Sequence, residues 1–168
     1  ERVRHIAFDA YNRFMPRPVG DEVIIIDIDE DSLREYGQWP WPRTDLANMV
    51  ETLKRMGAQS IAFDIVFAED DRTSPKFMAQ RYQDIDVFDN LPDNDTVFAE
   101  AIEQAGNVVT AFVWTQQKTD RTPVAKAKIF NTGFKPNPGG FVTSVPYFAT
   151  NLPVLSNAAA GNGSFSMF

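Results

Sequence analysis

Three carboxylates and one arginine are the residues of this chain whose types and spacing could best do chemistry. Asp27 and Asp29 close the apolar run EVIIIDID, and Asp64 lies in the later run SIAFDIVF. If both runs are strands of one parallel sheet, these carboxylates gather toward its carboxyl edge, where open sheets of this kind bind ligands. Oxygen ligands grouped there could hold Mg²⁺ or Ca²⁺; they could equally cap helices and accept hydrogen bonds from loop amides. Between the two runs stands GQWPWPR, residues 37–43. Its prolines fix φ and hold Trp39 and Trp41 in a stiff, extended segment. Arg43 falls in the first turn of the helix that follows, where a cation opposes the helix dipole and needs a carboxylate partner. Asp27, Asp29 or Asp64 could supply it. The string then has two readings. One is a ligand pocket lined by Trp and Arg. The other is a packed cap, with the indole rings covering the sheet edge and an Arg–Asp pair pinning the loop.

Other chemistries fit less well. Asp27, Asp29 and Asp31 have the spacing of a calcium loop, but Ser32 stands where that loop needs glycine and Gln38 where it needs glutamate. The run IIIDIDEDS also resembles the D-x-D run of haloacid-dehalogenase-like phosphatases, whose two aspartates act as nucleophile and general acid/base. The chain departs from that pattern at Asp31, and no matching downstream lysine and acidic pair follows. The single histidine, His5, and the absence of cysteine leave no Ser–His triad, Cys nucleophile or zinc–thiolate site. GNGS at 161–164 reads as a turn, not a phosphate loop.

The elements that must position these residues are legible from periodicity. Val3, Ile6, Ala7, Ala10, Tyr11 and Phe14 predict an amphipathic helix over 1–15, ended by Pro16 and Pro18. Residues 22–29 read as a buried strand. Asp31 can cap a short helix over 32–36, which Gly37 stops. Leu46, Met49, Val50, Leu53 and Met56 mark a helix over 44–56, with Thr44 or Asp45 as cap and Gly57 just past its end. A strand over 60–67 follows. A helix over 95–105 and a strand over 108–114 repeat the pattern. Residues 68–94 and 115–140 read as long polar loops, 151–160 as a short helix and 163–168 as the start of a further strand. The expected class is α/β: a mostly parallel sheet built from βαβ units with flanking helices, its C-terminal part truncated. The chain reads as one domain over 1–168: a helix and linker over 1–18, a core over 22–114, a loop region over 115–150, and a last helix and strand over 151–168.

Charge narrows the partners. The net charge of −7 and the absence of basic runs argue against nucleic acid. Residues 1–114 hold 22 acidic and 11 basic side chains, whereas residues 115–168 hold one acid and five basics, so the two parts could attract each other. No apolar run approaches the roughly 18–20 residues of a membrane span. The first residue is Glu1, so the chain reads as a piece of a longer protein.

Taken together, VIIIDIDEDSLREYGQWPWPR, the helix after it and GAQSIAFDIVFAEDD resemble the CHASE2 domain, with the similarity running from FDAYNRFMPRP to the end. The resemblance implies an extracytoplasmic, periplasmic sensor of a bacterial transmembrane receptor, joined to the membrane through flanking helices outside this chain. It implies a non-catalytic chain whose parent has a cytoplasmic output, foremost an adenylate or guanylate cyclase and alternatively a histidine kinase. The family's marked positions fall here on Asp27, Asp29, Ser32, Trp39, Pro40, Trp41, Pro42, Arg43, Asp64 and Phe67. The pattern would continue past Phe168 with an Asp-Gly turn and more strands. Expected partners are an unidentified small molecule or ion and, in the full receptor, a second copy. No cofactor is expected beyond a divalent cation at Asp27, Asp29 and Asp64. A ligand-free dimerisation module and a metal-dependent phosphatase are the competing expectations.

Overall fold

A computed structural model describes residues 9–11, 13–15, 20, 22–81, 88, 90–126 and 145–165. The chain divides between Trp39 and Pro40 into two units, which are described in turn.

In the first unit, residues 9–11 and 13–14 are helical, and the Met15 amide donates to the Tyr11 carbonyl at 2.8 Å. The rest of the expected first helix, with Val3, His5, Ile6 and Ala7, lies outside the described residues. The expected buried strand over 22–29 is corrected: residues 23–29 join no strand ladder, and Val23, Ile24, Ile25 and Ile26 are 56–86% exposed. Strand preference is a preference for a pleated, half-buried surface, and β-branched residues express it only where a neighbouring strand supplies one. Helix α1 (Glu30–Tyr36) follows. Its cap is Asp29 rather than the expected Asp31, with the Ser32 amide donating to the Asp29 carboxylate at 2.9 Å. Asp31 instead pairs with Arg34 at 2.8 Å on the exposed face. Gly37 ends the helix with φ +91°, a conformation that costs a glycine little.

The second unit is built on β2. Strand β1 (Ile61–Ala62) pairs with β2 (Val108–Thr115) in parallel, Ile61 opposite Val108. The Phe63 amide extends this ladder by donating to the Val109 carbonyl at 3.0 Å. As the expected alternation requires, Ile61, Phe63 and Phe67 are buried and Ala62 and Asp64 exposed. Between Trp41 and β1 runs α2 (Arg43–Arg55). Its buried stripe is Arg43, Leu46, Ala47 and Val50, one turn earlier than the apolar residues alone suggest, and Met56 is exposed. Beyond its end, Gly57 with φ +95° and Ala58 donate back to the Lys54 and Leu53 carbonyls, both at 3.0 Å. This is a Schellman stop.

The stretch 68–94, expected as a loop, contains helix α3 (Pro75–Arg81). Proline suits a first helical position because no intrahelical partner awaits its missing N–H. Helix α4 (Asn94–Ala105) is capped by Asp93, which accepts the Asp95 amide at 2.8 Å, and stops at Gly106 with φ +68°. After β2 come β3 (Tyr147–Ala149), antiparallel to the end of β2, then α5 (Pro153–Ala158) and β4 (Gly161–Ser164), parallel to β2. Two expectations are corrected here. The loop region over 115–150 includes a strand, and GNGS is a strand rather than a turn. Pairing with β2 along four residues overrides the glycines' weak strand preference. The class is α/β, an open and mostly parallel sheet with flanking helices.

Helix α4 packs against both α2 and α5. The core centres on Phe63, Phe67 and Phe98, whose rings meet edge to face with centroids 5.4–5.6 Å apart. Two basic residues of the C-terminal part are held by carbonyls: Arg121 donates to Ala68 at 2.8 Å and Lys126 to Asn157 at 2.6 Å.

Candidate functional site

Arg43 continues the apolar stripe of α2, so the helix itself carries the guanidinium into the interior, where the residue is 6% exposed. The group lies over the Phe67 ring, 4.5 Å from its centroid, and Nη2 donates to the Glu69 carbonyl at 3.4 Å. Two positions marked by the resemblance, Arg43 and Phe67, thus meet. A charge at such depth requires a counter-charge. The carboxylate that supplies it is Asp95, 3.4 Å from Nε, in place of the expected Asp27, Asp29 or Asp64; Asp71 meets the backbone N–H of Arg43 instead.

Asp71 organises the junction. Pro42 gives α2 no side-chain cap, and Asp71, 28 residues on, takes that role by accepting the Arg43 backbone N–H at 2.7 Å. The same oxygen accepts from Asn94 Nδ2 at 2.9 Å, and the other accepts the Thr73 amide and hydroxyl, each at 2.8 Å. Burial pushes the Asp71 carboxyl up, but these donors outweigh it and hold the group below the ordinary aspartate value. The Asp71 amide in turn donates to Asp95 Oδ2 at 2.9 Å, and Ser74 Oγ accepts the Asn94 amide at 3.0 Å. The start of α2, the 69–74 loop and the start of α4 are therefore tied at one point.

Lys76, on α3, stands at the rim. Its ammonium is 2.6 Å from both Asp70 and Asp93 and 3.9 Å from Asp95 Oδ2. Burial would lower its pKa, but the two carboxylates raise it further than burial lowers it. Asp93 is displaced downward: burial opposes ionisation, and Lys76 and the Asp95 amide prevail. Asp95 goes the other way. Its burial raises it, and the Asp71 amide and Arg43 only partly offset that. Lys76, Ala79, Phe88, Leu91 and Asp93 line an open hollow of about 290 Å³ beside this rim.

Opposite the charges, Asn151 fixes the other end of the Phe67 segment. Its Oδ1 accepts the Phe67 amide at 2.6 Å, its Nδ2 donates to the Ala111 carbonyl at 2.8 Å, and the Leu152 amide donates to the Phe67 carbonyl at 2.8 Å.

The remaining expected site residues are placed differently. In the first unit, Asp27 is exposed, and Asp29 caps α1, accepting the Ser32 amide and, at 2.7 Å, its hydroxyl. Those bonds lower the exposed Asp29 carboxyl. Trp39 is half-buried. In the second unit, Trp41 is half-buried and Asp64 is exposed. Among the described residues, no three His, Cys, Asp or Glu side chains are grouped to hold a metal ion, and no described helix is long and apolar enough to cross a membrane. The residues that sequence reasoning missed are Asp71, Asp93, Asn94, Asp95, Lys76 and Asn151. A faint signal existed in PDND, a helix start carrying more polar groups than a cap needs.

Comparison with known proteins agrees with the motif reading. The CHASE2 domain family model matches residues 1–167. No curated protein and no solved structure matches the chain. The chain belongs to the CHASE2 family of extracytoplasmic sensory domains.

Proposed function

We propose that this domain perceives a solute or ion outside the membrane and passes the event to a cytoplasmic adenylate or guanylate cyclase of the same receptor. The observation that supports this reading is the junction at Arg43. One buried side chain links the start of α2 to the start of α4 and to the loop between them, and Lys76 extends that network to an open hollow. A solute that binds the hollow by displacing Asp70 or Asp93 from Lys76 alters the charges facing Asp95. It biases the junction only by the difference in its affinity for the two arrangements.

The test is thermal unfolding of the chain at fixed pH against a panel of divalent ions and small solutes. A specific, saturable rise in melting temperature, lost in Lys76→Gln, supports binding at the hollow. No shift across the panel favours the second reading, a dimerisation module. That reading has its own observation: Tyr11 and Phe14, in the first unit's helical residues, are 60% and 83% exposed.

A further inference from the structure

We propose that Asp95 is a proton-binding site through which the domain registers acidification, an inference that rests on the sensory reading above. The argument begins with charge balance in the interior. Arg43 is a buried cation whose guanidinium faces Asp95, while a second buried carboxylate, Asp71, accepts its backbone N–H. Lys76 brings a second positive charge, but Asp70 and Asp93 hold it at 2.6 Å each. Among the described residues, the cluster thus has four carboxylates against two cations.

The deficit is not shared equally. Asp71 is satisfied on both oxygens by the Arg43, Thr73 and Asn94 donors. Asp93 has Lys76 and the Asp95 amide. Among the described residues, Asp95 has one hydrogen bond, from the Asp71 amide to Oδ2. Among the described residues its Oδ1 is buried without a hydrogen-bond donor, and it faces Arg43 Nε, likewise buried and without a hydrogen-bond partner, at an ion-pair distance of 3.4 Å. An ionised carboxylate left this short of donors in the interior is the member of the cluster that takes up a proton first. Among the described residues the groups facing it are the Asp71 amide from the loop, Arg43 from α2, Lys76 from α3 and Asp93 from its own cap; the first three lower its proton affinity only in part, and Asp93 raises it.

A proton on Oδ1 leaves one buried cation, Arg43, and one buried carboxylate, Asp71, at the junction. It ends the charge pairing with Arg43 while Oδ2 still accepts the Asp71 amide. Among the described residues, the polar ties that remain between α2 and α4 then run through Asp71, to Asn94 and to Asp95 Oδ2. Acidification of the extracytoplasmic side thereby changes how the two helices are held, with no other ligand required.

The Asp71 amide reports this directly, because it donates to Asp95. The experiment is an NMR pH titration of the Asp71 amide in the wild-type chain and in Asp95→Asn. The expected result is a wild-type midpoint above the ordinary aspartate value of about 3.9 and a flat Asp71 amide response across that range in the variant. A wild-type midpoint at or below that value overturns the proposal, as does an unchanged midpoint in Asp95→Asn. If the variant does not fold, a carboxyl ¹³C titration of aspartate-labelled wild-type chain gives the Asp95 midpoint by itself, judged by the same threshold. Both titrations are made without added solute, so their outcome is independent of the solute panel that tests the sensory reading.

Discussion

Removing the guanidinium of Arg43 while keeping its apolar bulk, as in Arg43→Met, should destabilise the chain by about 3–5 kcal/mol, the usual cost of deleting one partner of a buried ion pair. Three contacts go: the 3.4 Å pair with Asp95, the bond to the Glu69 carbonyl, and the cation over Phe67. The backbone cap does not go, since the Arg43 amide still reaches Asp71. Most of the loss is therefore the cost of leaving Asp95 charged in the interior without the guanidinium opposite Oδ1. Against a total stability of roughly 5–15 kcal/mol for a domain, such a variant stays folded only in mild conditions. The assay is urea unfolding at neutral pH, comparing midpoints and slopes. Adding Asp95→Asn to Arg43→Met should restore most of the loss, because the stranded charge is then gone. A single variant costing less than about 1 kcal/mol would refute the reasoning, and so would a double variant no more stable than the single.

Further outcomes follow from the same geometry. Asn151→Ala strips partners from the buried Phe67 amide and the Ala111 carbonyl, and should cost about 2–4 kcal/mol in urea unfolding at roughly 1–3 kcal/mol per orphaned group. Asp71 and Asp93 are held below the ordinary aspartate value, so the stability they add is present above about pH 3.9 and lost as the pH falls through their folded values; Asp71→Asn should flatten that acid limb in stability measured against pH. Asp95, held above that value, has the opposite sign, so wild type should gain stability relative to Asp95→Asn as the pH is lowered toward about 4. Gly57→Ala should lower stability by about 1 kcal/mol or more, since φ +95° there suits glycine, and the thermal midpoint checks it.

What the sequence made legible was local. The α2 helix, its glycine stop, and two strands that pair in parallel, though the expected strand over 60–67 narrows to Ile61–Ala62 opposite Val108–Val109, follow from patterns within a few residues of each element. Even the burial of Arg43 is implicit, because it stands three, four and seven residues before Leu46, Ala47 and Val50. What was not legible was long-range. Nothing near Arg43 names Asp71 as the acceptor of its amide or Asp95 as its counter-charge, since those contacts span 28 and 52 positions and depend on how α4 returns to α2. Asp27, Asp29 and Asp64 were chosen because they end strands. Residues 23–29 in fact join no ladder, and Asp29 is used up by its own helix. Helix α3 hid within an acidic stretch that reads as a polar loop, and its first residue, Pro75, suits a loop as well as a helix start.

The Asn151 clamp also has a consequence in time. It joins residues 84 positions apart, so it forms only after a large loop has closed. A chain emerging from its N-terminus can build α2, β1, α4 and β2 in sequence. It cannot secure the Phe67 segment until Asn151 itself has emerged. Until that moment the Phe67 amide lacks its acceptor, and the aromatic core lies beneath an unfastened seam. Closing that seam is a late step in folding, so substitutions at Asn151 should speed unfolding far more than they slow folding.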